Sequence, residues 1–133
     1  MKTKYTVPLT KIIKEFSLET LFVPENVNEL EVRSNEVNRP GLQMAGYFEF
    51  FDENRIQIIG KAEESFLQNF TPEKAQSRME KLFSKKPCAV VVCRDLDFPQ
   101  EYIEMAREYD VPLLRTNLST SSFASSLIAF LNV

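Results

Sequence analysis

The sequence predicts an α/β fold, a three-layer sandwich with a mostly parallel sheet. Residues 88–93 (CAVVVC) form a continuous apolar run, which is typical of a central strand covered by helices on both faces. Segments with strand and helix periodicity then alternate as β-α-α-β-α-β-α, an order that implies right-handed crossovers between parallel strands. With 133 residues, 44% of them hydrophobic and 26% charged, the chain has the size and composition of one domain. We expect a single domain over residues 1–133.

The N-terminal part of the chain predicts one helix and several short strands. Apolar residues at helical spacing favour a first helix over 9–16. Two short strands are expected over 17–23 and 30–34, separated by a polar turn. Pro40-Gly41 predicts a tight turn in which the glycine takes a positive φ. Residues 43–51 (QMAGYFEFF) predict a helical turn that leads into an apolar strand.

The C-terminal part predicts strands and helices in regular alternation. They are a strand over 55–60, helices over 61–70 and 71–83, a strand over 88–93, a helix over 98–109, a strand over 111–116 and a helix over 119–131. Thr71-Pro72 is a typical helix start, and Asp97 is expected to cap the helix that follows it. Cys88 and Cys93 stand five apart, so in one strand they point to opposite faces and stay free thiols.

Composition excludes several classes of function. A net charge of −3 without a basic run argues against nucleic acid as a partner. No apolar stretch has the length of a signal peptide core or a membrane span, so we expect no membrane partner and a cytoplasmic protein. The chain has no histidine, which excludes Ser-His-Asp catalysis and histidine metal sites. The acidic residues do not converge, so no catalytic residue and no metal ligand is predicted.

The glycine spacing in NRPGLQMAG (38–46) raises the question of a phosphate-binding loop. Gly41 and Gly46 stand five apart, as in a P-loop, but Tyr47-Phe48 follows where a P-loop needs Lys and Ser or Thr. The lysine would reach the terminal phosphates and the hydroxyl would ligate Mg²⁺. Neither is present, so this segment is not a P-loop.

Ligands of open α/β sheets bind where loops leave the carboxyl ends of the strands. Of the loops expected there, 115–122 is the most suggestive. It combines Arg115 and Thr116 with Ser119 at the start of the last helix, a set that could hold a phosphate or a carboxylate. Helix capping by the hydroxyl groups alone is the simpler alternative.

Three segments carry a resemblance to a known family. They are 37–63 (VNRPGLQMAGYFEFFDENRIQIIGKAE), 82–96 (LFSKKPCAVVVCRDL) and 111–123 (VPLLRTNLSTSSF). In this order the chain resembles, over essentially its whole length, the N-terminal domain of HPr kinase/phosphorylase. The resemblance implies a bifunctional enzyme that phosphorylates a serine of the phosphocarrier HPr with ATP or pyrophosphate. It also implies the reverse reaction, phosphorolysis, and a role in carbon catabolite repression.

In that family the chemistry lies in a C-terminal P-loop domain, which is absent from this chain. The resemblance therefore implies no cofactor here, ATP and Mg²⁺ being bound by the absent domain, which would also contact HPr. It implies a homo-oligomer for the full-length protein. The family's N-terminal domain is similar to the first domain of the Mur ligases, where a loop contacts a uridine nucleotide. Asn38, Arg39 and Gly41 would occupy a comparable place, which is fold analogy alone.

Two hypotheses of function follow. In the first, the chain is a non-catalytic assembly or regulatory domain, and aromatic residues of 47–51 meet another subunit unless they pack into the core. In the second, it senses an anion or a nucleotide. Arg39, Arg115 and the start of the last helix would then form the site.

Overall fold

The computed structural model describes residues 6–132 as a five-stranded sheet with helices on both faces. In chain order the elements are β1 (Val7–Pro8), α1 (Leu9–Glu15), β2 (Glu19–Phe22), a 3₁₀ turn (Val27–Glu29), β3 (Glu31–Val32), β4 (Val37–Asn38), α2 (Gly41–Met44), β5 (Ile56–Ile59), α3 (Lys61–Leu67), α4 (Pro72–Ser84), β6 (Val90–Val92), α5 (Gln100–Tyr109), β7 (Leu113–Arg115) and α6 (Thr120–Leu131).

The main sheet has the strand order β2-β7-β6-β5-β4. All neighbours pair in parallel except β2, which runs antiparallel to β7 at one edge. Every residue of β5 and β6 is buried, as expected for central strands with helices on both sides. The predicted α/β sandwich with a mostly parallel sheet is confirmed. Strands β1 and β3 form a separate antiparallel pair.

The sheet separates two hydrophobic clusters. Ile56, Ile58 and Val91 point to the face covered by α1 and α6, where Phe123 is fully buried. Ile59 points to the opposite face, where side chains of α2 to α5 pack. Side chains alternate along each strand in the way a pleated sheet requires. Helices therefore cover both faces of the sheet, and the fold has three layers: helices, sheet and helices.

Hydroxyl caps define the starts of two helices. Thr71 Oγ1 accepts a hydrogen bond from Lys74 N at 3.2 Å, and Pro72 occupies the first turn of α4. Ser119 Oγ accepts one from Ser122 N at 3.2 Å at the start of α6. The expected cap at Asp97 was wrong, because α5 begins after Pro99 without a side-chain cap.

The predicted strand within 43–51 was wrong, as was the positive φ at Gly41. Gly41 begins the short helix α2, and the positive φ of 101° belongs to Gly46. Between Ala45 and Arg55 the backbone forms turns and no strand. Phe50, also at a positive φ of 66°, interrupts any extended run.

The two cysteines do not lie on opposite faces as expected. Strand β6 begins at Val90, so Cys88 lies outside its alternation. Cys88 is half-buried and packs against the same cluster in which Cys93 is buried. Both thiols are free.

Candidate functional site

A polar cluster occupies the carboxyl edge of the parallel sheet. It consists of Arg39 after β4, Gly60 after β5, Glu63 in the first turn of α3 and Thr120 in the first turn of α6. We call these four residues the Glu63 cluster. The order of β4 and β5 in the sheet brings Arg39 beside Gly60. This edge is where α/β sheets carry their ligand sites, so the cluster is the candidate site.

Glu63 is the buried centre of the cluster, with 6% of its side chain exposed. Its Oε1 accepts the backbone N–H of Gly60 at 2.8 Å and a hydrogen bond from Arg39 Nη2 at 2.8 Å. The first bond satisfies an orphan donor at the start of α3, as in a capping box. The second compensates the charge that burial isolates from water.

Gly60 is required by the close approach of α6 to β5. A Cβ at this position would lie 2.0 Å from Thr120 Oγ1 and 3.4 Å from Arg39 Nη2. Thr120 is itself buried. Only a residue without a side chain lets the first turns of α3 and α6 meet in this way.

Amide side chains fix the backbone that carries Arg39. Asn38 Nδ2 donates to Gln57 Oε1 at 2.6 Å and to Gln43 Oε1 at 3.0 Å. Gln57 is fully buried and Gln43 nearly so, and each also donates to a backbone carbonyl. Asn38 therefore acts as a link between β4, β5 and α2.

Arg115 has different partners from Arg39. Its Nε and Nη2 donate to the two carboxylate oxygens of Glu19 at 2.9 and 3.0 Å, and Nη1 donates to the carbonyl of Leu96 at 3.1 Å. The hydrogen bond from Arg115 lowers the pKa of Glu19. Across β2 and β7, Glu19 and Arg115 are register partners, so this is a cross-strand pair.

The thiol nearest the cluster is unsuited to nucleophilic chemistry. Burial raises the pKa of Cys93 to about 11, although Thr120 and the Arg39 charge act in the opposite direction. A thiol in this state is protonated at neutral pH. Cys93 is therefore a packing residue.

The predicted ligand residues thus fall into two groups with separate structural roles. Asn38, Arg39 and Gly41 lie at the end of β4 and the start of α2, whereas Arg115 and Thr116 lie at the end of β7. Thr116 Oγ1 accepts the N–H of Leu118, and Ser119 caps α6. A ligand anion at Arg39 or Arg115 would compete with a carboxylate already in place. Ligand binding by these residues stays a prediction.

Sequence reasoning missed the buried role of Glu63 and included Thr120 only as a member of the 115–122 loop. The signal for Glu63 was present as glycine followed three residues later by glutamate at the start of a helix, which is half of a capping box. Its ion pair with Arg39 joins residues 24 positions apart and depends on the strand order. The approach of Thr120 to Gly60 depends on the packing of α6 against β5, which no local pattern marks.

A second notable surface is the loop 45–51, which follows α2. Phe48 and Phe51 pack edge to face, with centroids 5.7 Å apart, and contact the core. Phe50 is 91% exposed and Tyr47 is 47% exposed, and Leu42 of α2 is exposed beside them in sequence. We call Leu42, Tyr47 and Phe50 the loop patch. The four aromatic residues of this loop thus divide between core and surface.

Comparison with known proteins identifies the family. The model of the family described as HPr Serine kinase N terminus matches residues 7–131. An HPr kinase/phosphorylase of Caldicellulosiruptor bescii is 40% identical over 91% of this chain and 39% of its own length. That of Lachnoclostridium phytofermentans is 36% identical over 97% of this chain and 42% of its own. The chain thus spans about two fifths of these curated relatives.

A solved structure shares the fold. It contains the CBS and DRTGG domains of the regulatory region of Clostridium perfringens pyrophosphatase, complexed with the activator diadenosine tetraphosphate. The TM-score is 0.61 at 22% identity, covering 90% of this chain and 45% of that one. Of the helices within residues 6–132, none is long and apolar enough to cross a membrane. The match over residues 7–131 and the curated relatives show that this chain belongs to the HPr serine kinase N-terminus family.

Proposed function

We propose that this chain is the non-catalytic assembly and regulatory domain of an HPr kinase/phosphorylase. That enzyme would phosphorylate and dephosphorylate HPr in the cytoplasm, in carbon catabolite repression. ATP, Mg²⁺ and HPr would bind to a kinase domain outside these residues. The relatives named HPr kinase/phosphorylase, of which this chain matches only about two fifths, support this division of labour.

The observation that carries the assembly role is the loop patch. A phenylalanine that is 91% exposed leaves a large apolar surface in water, which is costly unless a partner covers it. The conformation of the loop holds the Phe50 side chain outward. Its neighbours Phe48 and Phe51 pack against the core, and Phe50 adopts a positive φ that a bulky residue rarely takes. Phe48, which anchors the loop, is held against α4, whose Lys81 and Lys85 stand over its ring at 5.4 Å.

The test measures self-association and binding to a kinase domain. Sedimentation of the purified chain over a range of concentrations, alone and with the kinase domain of the Caldicellulosiruptor bescii relative, should show association. Phe50→Ser should weaken it at least tenfold, since a buried aromatic anchor contributes about 2 kcal/mol or more to an interface. Ile128→Ser is the matched control, because Ile128 is also an exposed apolar residue but lies on α6.

A chain that stays monomeric and leaves the kinase domain's sedimentation and phosphotransfer rate unchanged would contradict the assembly role. If Phe50→Ser and Ile128→Ser weakened association equally, the loop patch would not be the association surface. Phosphotransfer from ATP to HPr by these 133 residues alone would contradict the non-catalytic assignment.

A further inference from the structure

A cavity of about 460 Å³ lies on the sheet face covered by α3, α4 and α5. Ile59, the last residue of β5, and Val92, the last residue of β6, form part of its floor. The cavity therefore opens at the carboxyl ends of two central parallel strands, the usual ligand position of an α/β sheet. Its volume is within the range of small-molecule sites, roughly 300–1,000 Å³.

The walls of the cavity are aromatic. Phe70, Phe98 and Tyr102 line it, and the rings of Phe98 and Tyr102 lie 5.2 Å apart with their planes tilted by 58°. Ring faces of this kind bind flat apolar groups by stacking and attract cations through their quadrupole.

Tyr102 brings one hydroxyl group to an otherwise aromatic wall. The residue as a whole is only 8% exposed, but the hydroxyl reaches solvent: within residues 6–132, Arg55 Nε is the one fully buried side-chain polar atom without a partner. A tyrosine hydroxyl can both donate and accept a hydrogen bond. A ligand in the cavity could therefore bond to it in place of water.

The charges that line the cavity are negative. Glu64 and Asp97 are part of its wall, and among the residues that the structure describes no basic residue is. Three cations lie close by without lining the cavity: Lys74 and Arg78 stand over the Phe70 ring at 5.1 and 5.6 Å, and Arg115 donates to the carbonyl of Leu96. Two carboxylates beside aromatic rings repel an anion and attract a cation.

We propose that this cavity binds a small organic cation, an ammonium or guanidinium group on an apolar body. The apolar body would stack on Phe98 and Tyr102, and the cation would lie near Glu64 and Asp97. The site is separate from the Glu63 cluster and from the loop patch, and it does not depend on the assembly role.

The experiment titrates the ¹⁵N-labelled chain with three probes of one shape and different charge: 2-phenylethylammonium, 2-phenylethanol and phenylacetate. Backbone amide shifts around Phe98 and Tyr102 should change most with the cation, less with the alcohol and least with the carboxylate. Glu64→Gln and Asp97→Asn should each reduce the preference for the cation over the alcohol by about fivefold, the upper range for a solvated ion pair. Tyr102→Phe should weaken the binding of each probe, because each can form a hydrogen bond with the Tyr102 hydroxyl.

Asp95→Asn is the matched control, since it removes the same charge two residues away from Asp97 but outside the cavity wall. It should leave the preference unchanged. Absence of shifts around the cavity with all three probes would overturn the proposal. So would equal or stronger binding of phenylacetate, or an effect of Asp95→Asn as large as that of Asp97→Asn.

Discussion

Arg39 closes over a carboxylate that the fold has buried: its Nη2 lies 2.8 Å from Glu63 Oε1, the oxygen that also accepts the N–H of Gly60. The pair is asymmetric, because Arg39 remains 46% exposed while Glu63 is 6% exposed. Water therefore solvates the arginine but not the carboxylate. Glu63 is the member whose charge depends on the protein for compensation.

Removing Glu63 should destabilise the domain. Glu63→Ala loses the cap of α3 and the charge-assisted bond to Arg39, each of which contributes about 1–2 kcal/mol. We expect a decrease of about 2–3 kcal/mol in the free energy of unfolding, measured by urea denaturation. Glu73→Ala is the matched control, an exposed glutamate in the first turn of α4. It should cost about 0.5 kcal/mol through the helix dipole. Equal effects of the two substitutions would show that neither the cap nor the ion pair stabilises the fold beyond the helix-dipole effect.

The contact between Gly60 and Thr120 gives a prediction about coupling. Gly60→Ala places a methyl group 2.0 Å from Thr120 Oγ1, so the variant should lose about 1–3 kcal/mol of stability through overpacking. Thr120→Ala removes the atom that clashes. In a double-mutant cycle the effect of Gly60→Ala should therefore be at least 1 kcal/mol smaller in the Thr120→Ala background. If the two substitutions had additive effects on stability, the contact between residue 60 and Thr120 would not be the cause of the overpacking.

The sequence predicted those elements whose local signals agree. Thr71-Pro72 followed by apolar residues at helical spacing identified α4 within one or two residues, and Ser119 did the same for α6. The apolar run at 88–93 identified the central strand, because burial on both faces removes polar residues from it. These signals are encoded in consecutive residues, so no knowledge of the tertiary fold was needed.

The failures concern features that tertiary contacts decide. Residues 43–51 are rich in aromatics and were expected to be a strand, but Gly46 adopts a positive φ where Arg78 of α4 approaches it. The Arg39–Glu63 pair was missed because it depends on β4 and β5 being neighbours. Arg115 was predicted to bind an anion, but its guanidinium is paired with Glu19 on the neighbouring strand, a contact that the sequence does not reveal.

The glycines of 38–46 should respond oppositely to alanine. Gly41 begins α2, and a Cβ there meets no atom of residues 6–132 within 4 Å, so Gly41→Ala should leave stability unchanged or raise it by about 0.4–1 kcal/mol. Gly46 has a φ of 101° and a Cβ would lie 2.4 Å from Arg78 Nη1. Gly46→Ala should cost about 1–3 kcal/mol. Urea denaturation of both variants measures the difference. Equal stabilities would contradict a helical Gly41 and a Gly46 with a positive φ.

The Glu19–Arg115 pair should make stability depend on pH in the acid range. The pKa of Glu19 is below its ordinary value of 4.5 in the folded state, chiefly because of the hydrogen bond from Arg115. The unfolded chain therefore binds the proton more readily, and the stabilisation is present above the unfolded pKa. As the pH falls through the folded pKa, the stabilisation is lost.

Urea denaturation of the wild type and Glu19→Gln tests this dependence, because the variant carries no ionisable group at position 19. The wild type should be the more stable at pH 7, and the difference should shrink below about pH 4 and vanish when the folded-state carboxylate is protonated. Glu31→Gln is the control, a glutamate on β3 whose charge has no ion pair within residues 6–132. Its stability should follow that of the wild type at both pH values. A difference for Glu19→Gln that persisted unchanged at the lower pH would mean that side-chain packing, and not the charge on Glu19, stabilises the junction of β2 and β7.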